Sequence, residues 1–164
     1  MASSLTPLLN RLPQQGQLTW IGLRPERGQP PQSVSEAQIH LEQGLVGDHF
    51  RGRPGSLRQI TLVQQEHLSV VAALLGQASL DPALLRRNLV VRGINLLALK
   101  DQRFAIGEVI LEGTRPCAPC SKMETALGPG GFNALRGHGG LCARVVQPGW
   151  IRVGDPVRLW LEAQ

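Results

Sequence analysis

Residues 114–124 read TRPCAPCSKME and hold two of the chain's three cysteines, Cys117 and Cys120, with two residues between them. A C-x-x-C pair can cycle between dithiol and disulfide, supply half of a zinc site, or carry one reactive thiolate beside a packing partner. A thioredoxin-like pair belongs at a helix start inside a βαβ pattern, and no such pattern surrounds this stretch. Zinc is the sharper rival: Cys117, Cys120, His138 and Cys142 form C-x2-C-x17-H-x3-C, four ligands of suitable kind. The thiolate reading rests on Ser121-Lys122-Met123-Glu124, which matches the S-x-x-E capping box and predicts a helix from about Ser121. Cys120 then lies at the helix mouth, beside Lys122 and near Arg115, where the helix dipole and the cations favour a thiolate. That singles out Cys120 over Cys117. The inert alternative is a pair of small buried thiols.

Charge adds a second chemistry. The net charge is +5, and of 17 basic residues only Lys100 and Lys122 are lysines. Arginine's planar fork suits bidentate capture of phosphate or carboxylate. The arginines cluster as Arg51, Arg53 and Arg58 in RGRPGSLR, a candidate phosphate rim or an ordinary charged loop, and as Arg86, Arg87 and Arg92 around a strand start. Aromatic residues are only 4%, tyrosine is absent and no RNA- or DNA-reading motif occurs, so nucleic acid is not an expected partner. Asp48 in GLVGD is suited to holding its own turn. His138 sits in GHGG, whose Gly139 and Gly140 allow close backbone approach to a ligand. His40, His49 and His67 read as surface or structural residues.

These residues must be positioned by short elements. At 164 residues the chain suits one domain with a real core. No stretch approaches the ~20 apolar residues of a membrane span. The start lacks a basic and then apolar leader, and an odd number of cysteines argues against a secreted disulfide scaffold, so a cytoplasmic location without membrane partners is expected. Leu5, Leu8, Leu9 and Leu12 suit one face of a short helix. Glycine (19) and proline (12) punctuate many short apolar runs, a β-rich pattern. Strands are predicted at Thr19–Leu23, Glu36–Gln43, Gln59–Val63, Asn88–Val91, Gly107–Gly113 and Cys142–Val146. An amphipathic helix is predicted over Gln65–Leu75, ending at Gly76, with a short helix opening at Asp81-Pro82. The tail GWIRVGDPVRLWLE predicts a hairpin about Gly154-Asp155. A closed or nearly closed β-barrel with helical insertions follows.

The order GLVGD, RRNLVVRGINL, IGEVILEGTRPCAPCSKME and GLCARVVQPGWIRVGDPVRLW resembles the MOSC domain. The likeness covers about residues 18–162 and leaves 1–17 as an N-terminal extension. Its most specific pieces are R-P-C-x-x-C at 115–120 and G-x-I-x-V-G-D at 149–155. The resemblance implies a mostly β, MOSC-type barrel with a few short helices and a molybdenum cofactor (molybdopterin). It makes Cys120 the thiolate ligand of molybdenum or the carrier of a transferred sulfur. Arg87 and Asn88 match the pair that grips the pterin phosphate and ring; Arg58, Arg115, Asp48 and His138 are further cofactor-binding candidates. The implied activity is reduction of small N-hydroxylated compounds with electrons from a partner reductase. Two alternatives remain: a persulfide on Cys120 supplied by a cysteine desulfurase, and a zinc-stabilised binding domain. The chain lacks the relatives' desulfurase domain, so no pyridoxal phosphate site is expected; a monomer is favoured.

Overall fold

Two apolar clusters organise the chain, one inside a barrel and one between the barrel wall and a layer of helices. The computed structural model describes residues 4–50 and 53–162. In chain order the helices are α1 (Thr6–Leu9), α2 (Gln65–Leu74), α3 (Ser121–Leu127) and α4 (Gly131–Leu135), with single 3-10 turns at Pro82–Leu85 and Leu96–Leu99. The strands are β1 (Gly16–Leu23), β2 (Gln32–Val34), β3 (Glu36–His40), β4 (Gly44–Leu45), β5 (Ile60–Gln64), β6 (Leu89–Arg92), β7 (Arg103–Ile106), β8 (Val109–Pro116), β9 (Leu141–Gln147), β10 (Gly149–Arg152) and β11 (Pro156–Leu159).

The barrel runs β11-β7-β8-β9-β5-β6-β1 and closes where Gly16 and Gln17 of β1 pair with Val157 and Pro156 of β11. Strand β2 extends β1, and β10, β3 and β4 form a small separate sheet. Every pairing between named strands is antiparallel except β5 with β6, whose crossover is α2 and the Pro82–Leu85 turn. Closure leaves the barrel strands without a free edge.

Strand β5 explains how the site is held. All five of its residues are buried, because both of its faces are covered. Ile60 and Leu62 enter the barrel interior with Leu18, Leu89, Val91, Phe104 and Leu141. Val63 faces the other way and, with Val90, packs against Val71 and Ala72 of α2, Met123 and Leu127 of α3, and Leu135 of α4. Fully burying one such side chain is worth about 1.5–3 kcal/mol, so this outer cluster fixes where α3 begins.

The barrel and most predicted elements are observed, with boundary shifts at β1, β3, β5, β6, β8 and β9. Strand β7 was not expected; it forms a hairpin with β8 about Gly107, whose φ of 56° suits a tight turn. The tail is a correction. Asp155 does make a turn, its carboxylate accepting from the Arg152 N–H. The flanking strands separate, however, β10 pairing with β3 and β11 with β7 and β1. Cross-strand partners far away in sequence outcompete the local hairpin. The short N-terminal helix is observed as α1, though Leu5, Leu8 and Leu9 are exposed and, of the four leucines, Leu12 alone packs partly on the barrel core.

Candidate functional site

Strand β8 ends at Pro116 and delivers the loop Cys117–Cys120 to the start of α3. The loop is fixed by backbone before any side chain acts. The Cys117 N–H donates to the Gly140 carbonyl at 2.8 Å. A Cβ on Gly139 would overlap the Cys117 carbonyl, and one on Gly140, at φ 96°, would overlap the Leu62 carbonyl. The two glycines of GHGG are therefore needed for chain-on-chain contact.

Arg87 completes the clamp. Only 4% exposed, it donates from Nε to Gly139 O (2.8 Å), from Nη1 to Leu85 O (3.1 Å), and from Nη2 to Cys117 O (3.3 Å) and Ala118 O (3.4 Å). Burial lowers its hold on its proton, and the neighbouring Cys117 opposes that; an arginine stays charged regardless. Its expected phosphate grip therefore competes with four carbonyls already in its fork. Asn88, also buried, laces β6 to β5: its Oδ1 accepts from Thr61 N (3.2 Å) and Oγ1 (3.1 Å), and its N–H donates to Thr61 O (3.0 Å). Arg87 and Asn88 thus stand in the framework under the loop.

The two cysteines of the loop point to different media. Cys120 is exposed and is the N-cap residue of α3, though its side chain makes no capping bond. The helix begins at Ser121 as predicted, but the capping box does not form. Glu124 instead reaches α4, accepting from Gly130 N (2.7 Å) and Phe132 N (2.8 Å), and these N–H groups hold its carboxyl below the usual carboxylate range. Cys117 is 2% exposed and lies against Cys142, 1% exposed, on the neighbouring strand. The hydrogen bond from Cys142 draws the Cys117 thiol down to about 6, against the effect of burial and with help from Arg87, Arg58 and Arg115. The same bond and burial push Cys142 up.

This separation dissolves the predicted zinc set. Cys117 and Cys142 are interior, Cys120 faces out, and His138 turns elsewhere. The His138 Nδ1 lies 3.1 Å from Ala134 O, and its ring meets His67 edge-on at 5.0 Å. Among the described residues no three His, Cys, Asp or Glu side chains gather to hold a metal ion.

A field of arginines surrounds the loop. Arg58 acts electrostatically on Arg24, Arg87, Cys117 and Cys142. Arg115 is exposed and stands opposite Cys142 in the β8–β9 register. Sequence reasoning missed Arg24, half-buried at the end of β1, whose proton affinity falls through burial and then through Arg86. It also passed over Arg86 as a site residue; at φ 58°, ψ 32°, Arg86 ends the 3-10 turn in the left-handed region. Asp48 belongs to the same region: its Oδ1 accepts from the Arg24 N–H at 2.8 Å, while His49 N donates to Arg24 O at 2.6 Å. None of Arg24, Arg58, Arg86, Arg87 and Arg115 is ion-paired among the described residues. The fold therefore gathers Cys120, Arg58, Arg87 and Arg115 about one loop and links Asp48 to them through Arg24. It sets Asn88 in the framework and His138 on the α2 side. Arg53 is exposed, and Arg51 lies outside the described residues. A cleft of about 400 Å³ adjoins the loop, lined by Leu97, Pro116, Cys117, Pro119, Phe132 and Arg136 among others.

No helix among the described residues is long and apolar enough to cross a membrane. The family model for the MOSC domain matches residues 39–158. No curated protein sequence matches the chain. Among solved structures the fold is similar to the YuaD protein from Bacillus subtilis, with a TM-score of 0.72 and 18% identity over 90% of this chain and 97% of that one. It is similar too to YiiM from Escherichia coli, with a TM-score of 0.69 and 20% identity, covering 90% of this chain and 71% of that one. YiiM from Geobacillus stearothermophilus aligns with a TM-score of 0.71 and 19% identity over 89% and 75% of the two chains.

Proposed function

Because the chain belongs to the MOSC domain family, we propose that it holds a molybdenum cofactor on the Cys120 thiolate and reduces small N-hydroxylated compounds with electrons from a partner reductase. The observation that carries this reading is one exposed thiol, on a loop clamped from below, within a field of arginines none of which forms a salt bridge among the described residues. The donor set fits the group. A thiolate is a soft metal ligand, and arginine forks match a phosphate bidentately. Arg58, Arg115, Arg24 and Arg86 are the candidates for the phosphate; Arg87 serves the site by holding the Cys117 and Ala118 carbonyls and hence the path of the loop.

When bound, the cofactor supplies a two-electron couple. Reducing an N–OH group consumes two electrons and two protons and releases the amine and water. This chain's share is positioning: Cys120 fixes the reacting centre at the surface, where substrate and donor protein both reach it, and the arginines offset anionic charge. The chain is expected to need a separate reductase, and the exposure of Cys120 fits that requirement.

The test is elemental analysis of protein made in a host competent for molybdenum cofactor, followed by a hydroxylamine-reduction assay with an added reductase. Stoichiometric molybdenum and turnover are expected; protein free of molybdenum from such a host would overturn the reading. The exposed thiol also suits a persulfide carrier. That alternative requires the intact mass to rise by one sulfur after incubation with a cysteine desulfurase and cysteine, and the gain to vanish in Cys120→Ser.

A further inference from the structure

The C-x-x-C motif suggests that Cys117 pairs with Cys120, but the fold gives Cys117 another partner. Cys142 stands opposite Arg115 across the β8–β9 ladder, and the Cys117 N–H bonds to Gly140 two residues before Cys142. That register puts the two cysteines at diagonal positions on one face of the ladder. Both thiols are buried and each acts on the other's proton, while Cys120 is exposed at the start of α3. We propose that Cys117 and Cys142 are a redox-active dithiol that closes to an intramolecular disulfide under peroxide, leaving Cys120 free.

The chemistry needs one thiolate, one resolving thiol and a route for the oxidant. Cys142 and then Arg87, Arg58 and Arg115 favour the thiolate on Cys117, which is more acidic than an ordinary thiol. Cys117 also lines the cleft beside the loop, which is large enough to admit hydrogen peroxide. The Cys117 thiolate attacks one peroxide oxygen, the O–O bond breaks, and a sulfenic acid and hydroxide form. Cys142 sulfur then attacks Cys117 sulfur, the S–O bond breaks, and the Cys142 proton leaves with the departing hydroxide as water. Two thiols lose two electrons and two protons, and peroxide becomes two waters. The bond would join the first residue of the loop to β9, without touching the Cys117 carbonyl that Arg87 holds.

The experiment is peroxide treatment of the folded chain, alkylation of the remaining thiols, and non-reducing tryptic mapping by mass. Residues 104–122 carry Cys117 and Cys120 in one peptide, and residues 137–144 carry Cys142 in another. The expected product joins the two peptides, is lighter by two hydrogens than the dithiol, and carries one alkyl group. The exposed variant Cys120→Ser should form the same link with no alkyl group. Oxidation should also raise Tm by roughly 5 °C or more, as expected when a cross-link constrains the unfolded chain. A disulfide confined to the 104–122 peptide, or no cross-link in Cys120→Ser, would overturn the proposal. Because none of these readings needs molybdenum, their failure would leave the proposed function standing, and the reverse also holds.

Discussion

Cys117 and Cys120 share one loop and two intervening residues, yet they inhabit different chemistry. Cys117 is enclosed by β9 and Arg87, and its N–H, carbonyl and thiol all have protein partners. Cys120 is exposed and has no side-chain capping bond. The comparison teaches that a short motif can be divided by the fold into a fixed half and a working half. Arg86 and Arg87 repeat the division. Arg87 turns inward to four carbonyls, while Arg86, left-handed at the end of its 3-10 turn, acts electrostatically on Arg24.

The sharpest way to break this contrast is to remove the clamp. Arg87→Ala should destabilise the chain by about 3 kcal/mol or more, because it strips hydrogen bonds from four carbonyls at once. Arg87→Lys should recover little, since one ammonium cannot span the fork's partners. Urea denaturation checks both, and a loss under about 1 kcal/mol would mean that the loop holds itself. Asn88→Ala should cost about 2 kcal/mol by leaving Thr61 donors unpaired in the barrel wall.

The thiol pair predicts a pH dependence confined to the fixed half. Cys117 is held at about 6 against an ordinary value of 9.0, so the unfolded chain binds more protons across that interval. Its contribution is complete above the unfolded value and is lost as pH falls through the folded one; stability should rise from about pH 6 to 9. Cys142, pushed upward, acts only at higher pH, where its contribution falls as pH rises. Cys117→Ser should flatten the slope between the two values, and Cys120→Ser should leave it. A smaller effect belongs to Glu124→Gln, which loosens α3 from α4 and lowers Tm slightly. That difference should fade as pH falls through the carboxylate range, because the depressed wild-type carboxyl is then lost as well.

Much of the barrel was legible because glycine, proline and short apolar runs are local signals. Helix α2 and its stop at Gly76 were legible for the same reason. What escaped was set by distant partners. The turn at Gly154-Asp155 could be read, but not that its strands join different sheets. The start of α3 was correct on a reason that fails, since Glu124 bonds to α4. Asp48 could be picked from its loop, whereas Arg24, which it holds, could not. The Cys117–Cys142 contact depends on strand register, and the four-residue zinc pattern was a coincidence of spacing that the fold pulls apart.

The division of labour is tested most directly by molybdenum retention in two variants purified side by side from a cofactor-competent host. Cys120→Ser should fold with an unchanged melting temperature and lose the metal. Cys117→Ser should retain the metal in whatever fraction remains folded. Metal kept by Cys120→Ser and lost from folded Cys117→Ser would contradict the account.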